Sequence, residues 1–241
     1  MGYLLSLLLR ESFWQIRIYL RDGMAVLFTF LLPGGFLVFW GRQEGADPFG
    51  ASALAATLAA AVSGYATLAI GIASAREAGV LKRIRSTPFP LGWHLAGRLL
   101  AHALLGTLAL GLVLGVGAVV LGFPLKGVGL AGILGTVWLG IAALGSLGLW
   151  VGSLASSAAR AAHLTNATLF PLFVLTVFAQ QGRLPEWALP LVSALPLQSM
   201  AALLRSSLEG GGWSWGSAVI LFAWMGIGLG LAGLRFARSP S

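Results

Sequence analysis

The chain has 241 residues, 58% of them hydrophobic, with 15 Lys or Arg against 7 Asp or Glu, a formal net charge of +8 and no cysteine. At 9% charged residues, against about 25% in soluble domains, it cannot cover a soluble fold, and its mean hydropathy of +0.90 places it in a bilayer as one all-α integral membrane domain over 1–241. Without cysteine there is no disulfide framework, thiolate metal site or cysteine nucleophile.

In chain order, residues 3–21 put Leu5, Leu9, Ser12, Phe13, Ile16 and Leu20 on one helical face and Arg10, Arg17 and Arg21 opposite. This pattern predicts a helix lying in the membrane surface, because a span would have to bury three arginines. No basic residue precedes the first leucines and Arg10-Glu11 interrupts the apolar run, so no cleavable signal is expected and the mature chain is expected to start near Met1. Six spans are predicted at Met24–Trp40, Ala51–Ala75, Leu99–Phe123, Val128–Ser156, Leu164–Ala179 and Ser217–Leu234, each helical because lipid offers no other partner to backbone amides. Pro33 and Pro171 fall inside spans, where kinks are expected. Residues 182–212 are apolar but carry Pro190 and Pro196. They read as short helices resting in or dipping into the outer leaflet, the second from Pro196 to Gly210, with a seventh span as the alternative.

With a cytoplasmic amino end, both termini are inside and 11 of the 15 basic residues lie in inner segments. Outside, Arg42, Lys126, Arg183 and Arg205 balance Glu44, Asp47, Glu186 and Glu209. The positive-inside bias thus accounts for the charge excess without nucleic acid.

Every Asp, Glu, Lys and Arg falls outside the six predicted spans, which argues against proton relays, intramembrane aspartyl proteolysis and ion-coupled transport. None of His94, His102 and His163 is followed by Glu, and no nucleophile elbow or Ser-x-x-Lys pair occurs, so hydrolase chemistry lacks its parts. Gly127, Gly129 and Gly132 spell the dinucleotide-loop pattern, but the match opens a membrane span. Lys82 and Lys126 both follow leucine, so there is no phosphate loop, no cofactor is expected on this chain, and a transporter of this make-up must draw energy from a partner. Gly111/Gly115, Gly148/Gly152 and Gly226/Gly230, four apart, read as helix-packing surfaces, with dimerisation as a second use.

Residues 76–88 concentrate charge. In a helix over 76–86, Val80, Leu81 and Ile84 gather on one side, Arg76, Lys82, Arg83 and Arg85 on the other, Glu77 falls on the apolar side and Pro88 ends the helix. The pattern suits a loop that only fixes topology equally with a helix docking in a groove of a cytoplasmic subunit.

"REAGVLKRIRSTPFPLGWHLAGR", residues 76–98, resembles the loop between the second and third spans of ABC-2 type permeases, matching at Glu77, Gly79, Arg83, Thr87, Pro88, Gly97 and Arg98. Residues 171–210 resemble that family's fifth span and outer segment, with Leu-Pro-x-Trp at 184–187 (Pro185, Trp187), Leu-Pro-Leu at 195–197 (Pro196) and Ala-Leu-Leu-Arg ending at Arg205. "TVFAQQG", residues 176–182, departs from a Ser-Gly pair more usual there. The resemblance implies a six-span permease that pairs with a second permease copy and two cytoplasmic ATPase subunits holding ATP and Mg, usually as an exporter in the cell (inner) membrane. It implies that 76–88 is the coupling helix and 3–21 an interface helix carrying Arg10, Phe13, Arg17 and Arg21. The uncharged spans suggest a hydrophobic or amphipathic substrate such as a drug, lipid or glycoconjugate. The rival readings are an ATP-independent channel or scaffold, a haem-maturation ABC permease and an intramembrane enzyme.

Overall fold

The computed structural model describes residues 2–43, 45–86, 91–122 and 129–238. Among these every regular element is helical: α1 (Gly2–Arg21), α2 (Gly23–Gly41), α3 (Pro48–Glu77), α4 (Val80–Arg85), α5 (Leu91–Leu121), α6 (Leu130–Leu154), α7 (Ala158–Gln180), α8 (Leu189–Ser193), α9 (Pro196–Leu208) and α10 (Trp215–Arg238). The six helices long and apolar enough to cross a membrane are α2, α3, α5, α6, α7 and α10. The chain is therefore a multi-pass membrane protein.

Most spans overrun a predicted end, farthest at α5, which starts at Leu91 instead of Leu99, whereas α6 is shorter than predicted at both ends. Hydropathy stops a span at Arg98 because lipid would not hold that charge, whereas the helix continues because α1 packs along it. Arg98, outside the predicted span, thus lies in the third turn of α5, with its Nε buried.

Two spans are locally unwound. In α2 the stretch Leu27–Leu31 is π-helical, immediately before Pro33, and in α3 the stretch Val62–Thr67 is π-helical. Proline lacks an N–H and crowds the carbonyl one turn back, so a widened turn before Pro33 relieves both problems without breaking the span. Pro171 lies inside α7, which continues to Gln180.

The core lies between α3 and α6, with α10 laid along the far flank of α6. Its closest approach is built on glycine. A Cβ on Gly148 would lie 2.7 Å from the Tyr65 carbonyl oxygen, and one on Gly152 would lie 2.6 Å from that of Ala69. Gly111, Gly115, Gly226 and Gly230 face open space, so only one of the three predicted glycine pairs packs within the protein.

At the end of the bundle away from α4, the helix α9 is wedged among α3, α6 and α10. Pro196 occupies its first turn, and Leu197, Met200, Leu203 and Leu204 are fully buried. Thirteen residues make about 20 Å of helix, short of the roughly 30 Å hydrocarbon core. Helix α9 is not among the helices long enough to span, and its apolar face meets protein, with Met200 against Gly140.

Candidate functional site

The charged segment 76–88 divides in two. Arg76 and Glu77 end α3, and the chain turns at Ala78 and Gly79 before α4. Gly79 has φ +70°, a left-handed conformation that a Cβ disfavours and that commonly stops helices. The single helix expected over 76–86 is therefore broken, and the two charges before the break face other spans. Arg76 Nη1 donates to the carbonyls of Ser153, at 2.5 Å, and Ala155, at 3.3 Å, where α6 ends. Glu77 Oε2 accepts from the Ala158 amide at 3.1 Å, where α7 begins, and Ser157 caps the same terminus by accepting from the Arg160 amide. A cation sits on a carbonyl-rich helix end and an anion on an amide-rich one, each complementing the helix dipole. Adjacent residues of α3 thus hold the α6–α7 turn.

In α4, Lys82 and Arg83 are exposed, Val80 is 36% exposed and Ile84 is half-buried. Leu81, expected on the docking face, is only 6% exposed and so packs inward. Of Arg85 only the backbone is described, and Thr87 and Pro88 lie outside the described residues, as do Glu44, Lys126 and Gly127.

Helix α1 packs on the bundle mainly through polar residues and leaves most of its apolar stripe exposed. Leu5, Leu9, Phe13 and Leu20 are exposed, as are Arg10, Arg17 and Arg21, with Arg17 over the Trp14 ring at 5.6 Å. The packed face is polar. Ser12 donates to the Gly97 carbonyl at 3.0 Å, His94 Nδ1 lies 2.9 Å from Glu11 Oε1, Gln15 Nε2 donates to the same oxygen at 2.7 Å, and Tyr19 bonds Thr29. Gly97 permits this approach, since a Cβ there would lie 2.6 Å from Glu11 Cγ. A hydropathy wheel misses the face because its residues satisfy one another.

Burial by itself raises the Glu11 pKa, but hydrogen bonds from His94 and Gln15, with the positive charges of His94 and Arg98, outweigh it and hold the carboxyl below its ordinary value. A depressed folded pKa stabilises above the ordinary carboxylate range, and the gain is lost as pH falls through the folded value. Glu11→Gln is expected to lower stability by about 1–2 kcal/mol at pH 7, with the gap to wild type closing below about pH 4. Thermal unfolding in detergent at both pH values checks this, and an equal gap at the two would contradict it.

At the other end, Arg205 gathers the loop charges. Its Nη2 lies 2.7 Å from Asp47 Oδ2, its Nε donates to Glu209 at 2.8 Å and its Nη1 to Gln180 at 3.3 Å. The Glu209 hydrogen bond, opposed by partial burial and aided by the Asp47 and Glu209 charges, raises the Arg205 pKa. These pairs are a third exposed or more and contribute little stability; they fix where α9 sits against α3. Pro185 is exposed and Trp187 is 75% exposed, so neither joins this cluster.

Between α2, α3 and α7 lies an apolar cleft of about 670 Å³, walled mainly by aromatic residues including Phe28, Phe36, Trp40, Phe170 and Phe173. Phe36 stacks on Trp40 and meets Phe173 edge-on. Asn166 is its one polar side chain. Sequence reasoning missed this cleft, although Phe28, Leu32, Phe36 and Trp40 recur every four residues along α2.

Comparison with curated proteins yields no match. The sequence profile of the ABC-2 type transporter family, in contrast, matches residues 4–209, from α1 through the first five spans to α9. The chain therefore belongs to the ABC-2 type transporter family and is an ABC transporter permease.

Proposed function

We propose that the chain is the membrane subunit of an ABC exporter in the inner (cell) membrane, with both termini cytoplasmic, moving a hydrophobic or amphipathic substrate such as a drug, lipid or glycoconjugate. Two cytoplasmic ABC ATPases holding ATP and Mg supply the energy, and a second permease copy, identical or related, completes the assembly. The ATPases press on α4 through Val80, Ile84 and the basic side chains Lys82 and Arg83, and on α1 through Arg10, Arg17 and Arg21. The observation that carries this reading is the root of α4: Arg76 and Glu77 grip the ends of α6 and α7, so force on α4 reaches three spans at once. Coupling then resides in contacts that differ between two arrangements of the bundle. The aromatic cleft supports an apolar substrate.

The test is reconstitution in liposomes with the ATPase that copurifies. Ile84→Asp places a carboxylate on the docking face and is expected to abolish both ATP-driven flux and the permease's effect on ATP hydrolysis, while membrane insertion is retained. Flux that persists in Ile84→Asp, or that runs without ATP, replaces this reading with an ATP-independent channel or scaffold.

A further inference from the structure

A second cavity, of about 410 Å³, lies where α1, the latter part of α3 and the start of α5 meet, within the roughly 300–1,000 Å³ range of small-molecule sites. Arg98, His94 and His102 line it. His94 is 4% exposed; its Nδ1 is engaged by Glu11, whereas its Nε2, buried, has no hydrogen-bond partner among the described residues. The same holds for Arg98 Nε, and no described carboxylate comes within 4 Å of that guanidinium. A buried guanidinium N–H without an acceptor is unfavourable and uncommon, and His94 Nε2 adds a second such donor when both ring nitrogens carry protons. Asp22 is the one carboxylate on the wall, and its Oδ1 already accepts the Met24 and Ala25 amides. Glu11 is not on the wall.

What would satisfy this wall is an anion with several acceptor oxygens, which a guanidinium fork and imidazole N–H groups match as they match phosphate. The surroundings say what else such a molecule carries. A cavity of about 360 Å³ shares Asp22, Ala25, Thr67 and Ile70 with this one, and shares Phe28, Val62, Asn166 and Leu169 with the aromatic cleft. A polar pocket therefore opens into an apolar groove along α2, α3 and α7, next to a helix whose exposed apolar and basic residues suit a membrane surface.

We propose that this cavity binds the phosphate of a lipid headgroup in the leaflet beside α1, with the hydrocarbon chain in the groove. The site rests on this geometry and not on the exporter reading, and its test needs no ATPase. Native mass spectrometry of the intact, delipidated protein would be titrated with dioleoyl phosphatidylglycerol, with dioleoylglycerol, which lacks the phosphate, and with water-soluble glycerol 3-phosphate as competitor. Phosphatidylglycerol is expected to bind at least tenfold more tightly than dioleoylglycerol, and equimolar glycerol 3-phosphate to leave it bound. Arg98→Gln is expected to remove the preference. So is Gly71→Val, which keeps the charge but builds into the cavity, since a Cβ there lies 3.1 Å from Arg98 Nη1; it serves should Arg98→Gln misfold. Arg42→Gln, exposed at the opposite end, is expected to bind like wild type. Equal binding of the two lipids, a preference that survives both pocket variants, or displacement by glycerol 3-phosphate would overturn the proposal.

Discussion

Glu77→Gln is expected to lower ATP-driven flux roughly tenfold, within the 5- to 150-fold span of typical coupling free energies, while the protein inserts normally and loses less than about 1 kcal/mol of stability. The asymmetry follows from geometry. Glu77 is exposed, so its bond to the Ala158 amide is solvated and weak as a stabiliser, yet it is the contact that ties the root of α4 to the start of α7. Arg76→Gln should act in the same direction by freeing the end of α6. Because the two side chains grip one turn, the double variant should be little worse than either single one. Flux in liposomes, set beside thermal unfolding of the same preparations, separates the outcomes. Unchanged flux in Glu77→Gln would reduce the residue to a helix cap, and a large loss of stability would make it a structural residue.

The largest stability effect is expected at the glycine seam. Gly148→Val and Gly152→Val would drive side-chain atoms into the carbonyl oxygens of Tyr65 and Ala69. A carbonyl in a helix cannot rotate aside as a side chain can, so α3 must move away from α6. Overpacking of this kind costs about 1–3 kcal/mol and should lower the unfolding temperature clearly. Gly111→Ala and Gly226→Ala meet nothing within 4 Å and relieve the backbone entropy of a helical glycine, so they should unfold at or above the wild-type temperature. Equal behaviour of the two sets would show that the seam does not hold the bundle together.

These two regions also mark how far the sequence could be read. Hydropathy located all six spans, because a run of about 20 apolar residues is a property of a local window. Pro196 marked the start of α9 for an equally local reason, its suitability for a first helical turn. The contacts of Glu77 and Arg76 lie 77 to 81 residues away, and no local pattern carries such information. Wheel analysis placed Glu77 on an apolar face because it assumed one helix where Gly79 makes two. It did not show which side of α1 meets the bundle, because that side is held by Glu11 and Ser12, polar groups whose partners His94 and Gly97 lie on α5. Four-residue glycine spacing is likewise necessary for close packing but does not choose a neighbour; Gly148 and Gly152 differ from Gly111 and Gly115 only in what faces them.

The widened turn in α3 has a geometric consequence for the groove. An ordinary helix advances about 100° per residue, so side chains four apart overshoot a full revolution by about 40°, and a row of them spirals away. Leu58, Val62, Ala66 and Ile70 stand four apart and all line the chained cavities. The i→i+5 winding of Val62–Thr67 turns less per residue and cancels the accumulated drift. One lipid-length furrow can therefore run straight down a single edge of that helix.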